Sequence, residues 1–102
     1  MTSPEVLVAV MMQGKRQRII QLLRNSKEPL WIGQIAKKIG ETHRLTSFHL
    51  ATLAEYGLVD GEYREIRKAS PHLLGKAAKF YQLTPLAEKT IMSLKKQFES
   101  EV

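Results

Sequence analysis

Arg44 and Ser47 stand three residues apart within Thr42-His43-Arg44-Leu45-Thr46-Ser47-Phe48. A guanidinium there can donate two parallel hydrogen bonds to a guanine edge or a phosphate, and a serine hydroxyl can donate or accept in a groove that its small size lets come close. His43 can touch a phosphate, and Phe48 offers an apolar face to a thymine methyl. A solvated arginine and a plain surface serine are the ordinary alternatives at these positions. A second group, Arg64, Arg67, Lys68, Lys76 and Lys79, outnumbers Glu62 and Glu65 between residues 61 and 80 and leaves three net positive charges. A basic hairpin of that kind suits phosphate or minor-groove contact. Lysines on exposed strands also serve merely to discourage edge pairing.

Other chemistry is poorly supplied. Cysteine is absent, which removes disulfides, thiolate nucleophiles and thiolate metal sites, and Asp60 is the single aspartate. No Ser/His/Asp grouping, glycine-rich phosphate loop or paired-histidine metalloprotease motif occurs, so an enzyme is not expected. A formal charge of +6 and a pI near 9.8 call for an acidic partner, nucleic acid or an anionic membrane surface, without choosing between them. The longest apolar run, Val6 to Met12, falls far short of the ~20 residues that span a bilayer. It follows Pro4-Glu5 instead of a basic segment, so neither a membrane span nor a secretory signal is expected and the protein reads as cytoplasmic.

Elements that could position these groups follow from periodicity. With 102 residues, one domain spanning 1–102 is expected. Residues 5–12 are apolar on every side. After Gly14, Ile19, Ile20, Leu22 and Leu23 cluster on one side of a helix over 15–25 whose other sides carry Lys15, Arg16, Arg18 and Arg24. Pro29 makes Leu30-Trp31 a short extended connector. Ile35, Ala36 and Ile39 mark the buried face of the next helix, which Gly40 closes. Thr42 is an N-cap for a helix from His43 to about Tyr56, with Gly57 beyond its end. At ~100° per residue, Thr46, His49, Leu50 and Leu53 share an inner arc, while Arg44, Ser47, Phe48, Ala51 and Glu55 lie opposite. His49 reads as a satisfied interior histidine. Phe48 either packs on the wing or the helix connector, or meets its partner bare. Two strands and a loop follow, with Leu73-Leu74 unplaced. Thr84-Pro85 then starts a helix whose stripe is Ala87, Ile91, Leu94 and Phe98.

Two short helices, a tight turn and a hairpin are the order of a winged helix-turn-helix. The stretch 35–59, with Ser47-Phe48-His49-Leu50 and Tyr56-Gly57-Leu58-Val59, resembles the core of ArsR-like winged-helix transcriptional regulators. Phe80-Tyr81-Gln82-Leu83-Thr84-Pro85-Leu86 resembles that family's second wing strand entering its last helix. The likeness spans most of residues 15–98, and MarR-like proteins share much of it. It implies a mainly α fold with a small β-hairpin wing, a helix-turn-helix about 32–56, a wing about 58–84 and dimerisation helices about 5–12 and 85–99. It further implies a regulator of double-stranded DNA, a repressor that occludes its promoter, with Thr42, His43, Arg44, Ser47 and Phe48 at the groove and the wing cations on the backbone. Where thiolate-sensing members carry Cys-x-Cys, this chain has Trp31 and Gly33, and its last helix has Glu88, Glu99 and Glu101 but no histidine, so no metal or other cofactor is expected. A homodimer is expected, because Val6, Leu7, Val10 and Met11 need a cover that Ile91, Leu94 and Phe98 of a second copy can supply. A monomer with the first helix packed on its own last helix is the alternative. The rival function is a winged-helix protein-interaction module of a larger assembly. Single-strand or RNA binding is disfavoured by the few aromatic residues.

Overall fold

A computed structural model describes residues 2–65 and 77–100. Arg67, Lys68, Lys76, Leu73 and Leu74, and the side chain of Phe98, lie outside the described residues. The described elements are α1 (Pro4–Met11), α2 (Gly14–Asn25), β1 (Leu30–Trp31), α3 (Ile32–Ile39), α4 (His43–Glu55), β2 (Val59–Glu65), β3 (Ala77–Leu83) and α5 (Pro85–Ser100). Among them no helix is long and apolar enough to cross a membrane.

Local chemistry accounts for most boundaries. Ser3 caps α1 by accepting from the Val6 N–H, and Pro4 takes the first helical position, where its missing N–H costs nothing. Gly40 and Gly57 end α3 and α4 in the left-handed region, at φ 67° and 74°. In both caps the N–H of the residue after the glycine reaches back into the helix's last turn: Glu41 to the Ala36 carbonyl at 3.0 Å, and Leu58 to the Leu53 carbonyl at 2.9 Å.

Leu30 and Trp31 are more than a connector. They pair antiparallel with β3, Leu30 opposite Tyr81 and Trp31 opposite Phe80, so the sheet has three strands in the order β1-β3-β2 instead of the two of a simple hairpin. Pro29 keeps the chain extended, and the backbone groups of β1 find their partners in the edge that β3 would otherwise leave open. The β2/β3 register runs from Val59 opposite Leu83 to Glu65 opposite Ala77.

The core is built from Ile19, Ile20 and Leu23 of α2, Ile35 and Ile39 of α3, Leu50 and Leu53 of α4, and Leu58, Val59 and Ala87. Leu7 and Met11 join it at 4% and 5% exposure. That corrects their expected place at a subunit interface: one turn apart, they form the stripe by which α1 docks on its own domain. Val6 remains exposed, and Val10 is half-buried against the core.

Thr84 joins α4 to α5. Its hydroxyl donates to the Gly57 carbonyl at 2.6 Å and accepts from the Ala87 N–H at 3.2 Å, while its own N–H donates to the Leu58 carbonyl. One side chain thus caps the last helix and ties it to the end of α4. Thr84→Ala should cost about 1 to 2 kcal/mol, read as a lower urea midpoint at unchanged slope.

Candidate nucleic-acid interface

α4 is a 13-residue helix started by Thr42, whose Oγ1 accepts from the Leu45 N–H at 3.1 Å. Thr46, Leu50 and Leu53 are fully buried along one stripe. Thr46 tolerates burial because its hydroxyl donates to the Thr42 carbonyl at 2.7 Å. On the opposite side Arg44, Ser47, Phe48, Ala51 and Glu55 are exposed, in the register expected, as are Thr42 and His43 at the start of the helix.

Phe48 falls on one of its two alternatives, and His49 differs from expectation. Phe48 is 63% exposed, so among the described residues neither the wing nor the helix connector covers it. Its ring meets the His49 ring edge-on, centroids 5.8 Å apart at 69°. His49 itself is half-buried, and its Nδ1 is enclosed without a hydrogen-bond partner among the described residues, so it is not the satisfied interior histidine expected.

The charge around α4 is one-sided. Between residues 29 and 54 the only acid is Glu41, against Lys37, Lys38 and Arg44. Glu41 is itself engaged, 3.9 Å from the Lys15 ammonium and accepting from the Thr42 N–H. What α3 and the first turns of α4 present to solvent is therefore positive.

Strand alternation puts the two described wing cations, Arg64 and Lys79, on opposite faces. Arg64 shares its face with Glu62, which it meets at 3.2 Å, so its charge is partly matched. Lys79 lies on the other face, with its ammonium 5.8 Å from the ring centroids of both Tyr63 and Tyr81. Gly61 makes room for it, since a Cβ there would stand 2.6 Å from Lys79 Cε. Tyr63, 72% exposed at the outer end of this stripe, is a candidate contact that the sequence reading passed over. The alternation of Tyr63 with its strand neighbours was the signal that could have found it. Lys15 and Arg18, on the cationic sides of α2, both donate to the Ile39 carbonyl, each at 3.1 Å.

At the positions compared with a thiolate site, the Trp31 ring lies against Gly33, whose added Cβ would fall 2.6 Å from the indole. Among the described residues no three of His, Cys, Asp and Glu gather as a metal site.

No family model matches the chain, and no curated protein does. Solved structures are similar. A possible transcriptional regulator for arsenical resistance is 23% identical, with a TM-score of 0.66 over 90% of this chain and 82% of its own. A homodimeric winged helix-turn-helix DNA-binding domain from Mycobacterium bovis, a possible ArsR-family regulator, is 21% identical, with a TM-score of 0.65 over 93% of this chain and 76% of its own. NolR from Sinorhizobium fredii is 22% identical, with a TM-score of 0.64 over 96% and 95%. The fold is a winged helix-turn-helix, mainly helical with a small antiparallel sheet.

Burial, and secondarily the neighbouring Tyr63 phenol, hold the Tyr81 hydroxyl above its usual ionisation range. A group whose pKa is raised by folding contributes stability that is complete below the unfolded value and lost as pH rises through the folded one. Unfolding free energy should therefore fall at alkaline pH above about 10, and Tyr81→Phe should flatten that fall in urea titrations across the range.

Proposed function

We propose that the protein is a sequence-specific regulator of transcription that binds double-stranded DNA, works in the cytoplasm and acts as a repressor. The observation that carries this reading is the outward face of α4. Arg44, Ser47 and an uncovered Phe48 stand together on a helix whose inner stripe is locked in the core, with no acid among them. A helix of this size fits the major groove, where Arg44 can fork onto a guanine edge, Ser47 permits close approach and Phe48 meets thymine methyls. Thr42 and His43 lie at the helix start, where backbone N–H groups and the helix dipole favour phosphate. Lys79, Arg64 and the cations Arg67, Lys68 and Lys76 supply non-specific affinity along the flanking backbone. The solved structures reported above, regulators and a DNA-binding domain by name, support the same reading. None of these residues needs a catalytic role.

The protein acts as a homodimer on this reading. With Leu7 and Met11 committed to the core, the surface left for a second copy is Val6 of α1, Met12 just past its end and Met92 of α5, all more than two-fifths exposed, with the half-buried Val10, Ile91 and Leu94 beside them. Phe98 extends the α5 stripe in sequence. A two-fold arrangement of these helices sets two copies of α4 roughly 34 Å apart and calls for a pseudo-palindromic site. The similar domain from Mycobacterium bovis, homodimeric by name, supports the homodimer.

A second reading, a protein-interaction module, is favoured by the exposure of Phe48 and Tyr63, because uncovered aromatics are also typical protein anchors. Selection of bound duplexes from a random pool separates the two. A recovered motif whose affinity falls steeply with log salt supports DNA binding; an empty selection at low salt favours the interaction module.

Two outcomes test the assignments. Arg44→Ala should cost on the order of 1 to 3 kcal/mol and relax base preference at one position per half-site, whereas Lys79→Ala should weaken selected and random duplexes alike. Val6→Glu combined with Met92→Glu should give a monomer in sedimentation equilibrium at micromolar concentration, with helix content kept because both positions are exposed.

A further inference from the structure

The carbonyl of Ile39 is the last of α3, and its own helix has no donor left for it. The Gly40 cap serves its earlier neighbours: the Gly40 N–H goes to Lys37 and the Glu41 N–H to Ala36. A carbonyl oxygen has two lone pairs. Both are taken here by cations of another helix, Lys15 Nζ at 3.1 Å and Arg18 Nη1 at 3.1 Å. Lys15 also stands 3.9 Å from Glu41 Oε2, while Glu41 Oε1 accepts from the N–H of Thr42, the residue that caps α4. Every residue from Ile39 to Thr42 is therefore held either by its own cap or by the first two turns of α2.

The arrangement is costly to build by accident. Lys15 and Arg18 lie three positions apart, on the same helical face, and reach 24 and 21 residues along the chain to one atom. The negative end of the α3 dipole and the two charges attract each other, and the carbonyl is partly shielded from water, which strengthens both bonds. We infer that Lys15 and Arg18 are positioning residues for α4: they pin the turn between α3 and α4 and so hold the angle at which Arg44, Ser47 and Phe48 are presented. This rests on the DNA-binding reading above and adds to it a pair of cations that work without touching DNA.

Surface cations near a DNA-binding helix have a competing role as phosphate contacts, and the two roles leave different marks. A phosphate contact releases a counterion, so its removal lowers the salt slope by about 1 and weakens all sequences equally. A positioning residue leaves the slope in place and reduces discrimination. The test uses the full-length chain with Lys15→Met, Arg18→Met and both together, which keep the aliphatic stems, and with Lys15→Arg as the conservative variant. Affinity for the selected duplex and for a random duplex is measured at several salt concentrations, alongside hydrogen exchange of the Glu41, Leu45 and Thr46 amides.

The double variant should lose roughly tenfold in affinity for the selected duplex, the range expected of residues that act through others. Random-duplex affinity and the salt slope should hardly change, exchange at the three amides should speed up, and Lys15→Arg should restore most of the loss. A slope lowered by about 2 with equal loss on both duplexes would make the pair phosphate contacts and overturn the inference. Unchanged affinity and exchange would overturn it as well. If the unaltered protein binds no duplex at low salt, the DNA reading falls by itself; the exchange rates then decide whether the pair fixes the turn, and unchanged rates reject it.

Discussion

Complete burial of Thr46, Leu50 and Leu53 on a single stripe of α4 is the constraint on which the rest of the molecule turns. Residues spaced four and three apart define one line along a helix, and packing that line among Ile35, Ile39 and Leu58 removes the freedom of α4 to rotate about its axis. Everything on the far side is then exposed as a consequence. Thr46 shows how strict the stripe is, since a hydroxyl lies in it and is made acceptable by the Thr42 carbonyl one turn earlier. A helix held this way presents its outer side chains at set positions, which is what recognition of a groove requires.

The ends of α4 are fixed as firmly as its face. At the start, Gly40 turns the chain through the left-handed region and Thr42 caps the helix, with α2 reaching across to the carbonyl between them. At the finish, Gly57 makes the same kind of turn and Thr84 ties that turn to the first residues of α5. The core helices, the helix of the candidate interface and the terminal helix are thereby joined through polar contacts at both ends.

The sheet divides the wing into parts with different charge. Because β1 pairs with β3, the root of the wing is anchored to the helical body, and the outer portions of β2 and β3 extend from that anchor. Lys79 sits over two tyrosine rings on one face, and Arg64 sits beside Glu62 on the other. The two cations look alike in a sequence count. Their surroundings differ: Arg64 faces the Glu62 carboxylate, and Lys79 faces two aromatic rings.

Much of this was legible in the residues themselves. Periodicity placed the inner and outer arcs of α4, and residue type placed the caps at Thr42, Gly40, Gly57 and Thr84-Pro85, because helix faces and helix ends depend on neighbours within a turn or two of chain. Residue types and order also led to the winged helix. What the chain could not reveal alone depends on partners distant in sequence. Leu30-Trp31 became a strand only because β3 passes beside it. Leu7 and Met11 went into the core because α2 and α5 leave a place for them, while an all-apolar helix has no side that marks itself as inner. Phe48 is bare among the described residues, an outcome that depends on what folds near it and not on its place in the helix. Lys15 and Arg18 read only as cations off the apolar side of their helix, since a backbone carbonyl orphaned at the end of another helix has no signature in the sequence; only the packing of α2 against α3 brings that unsatisfied oxygen within reach of two cations.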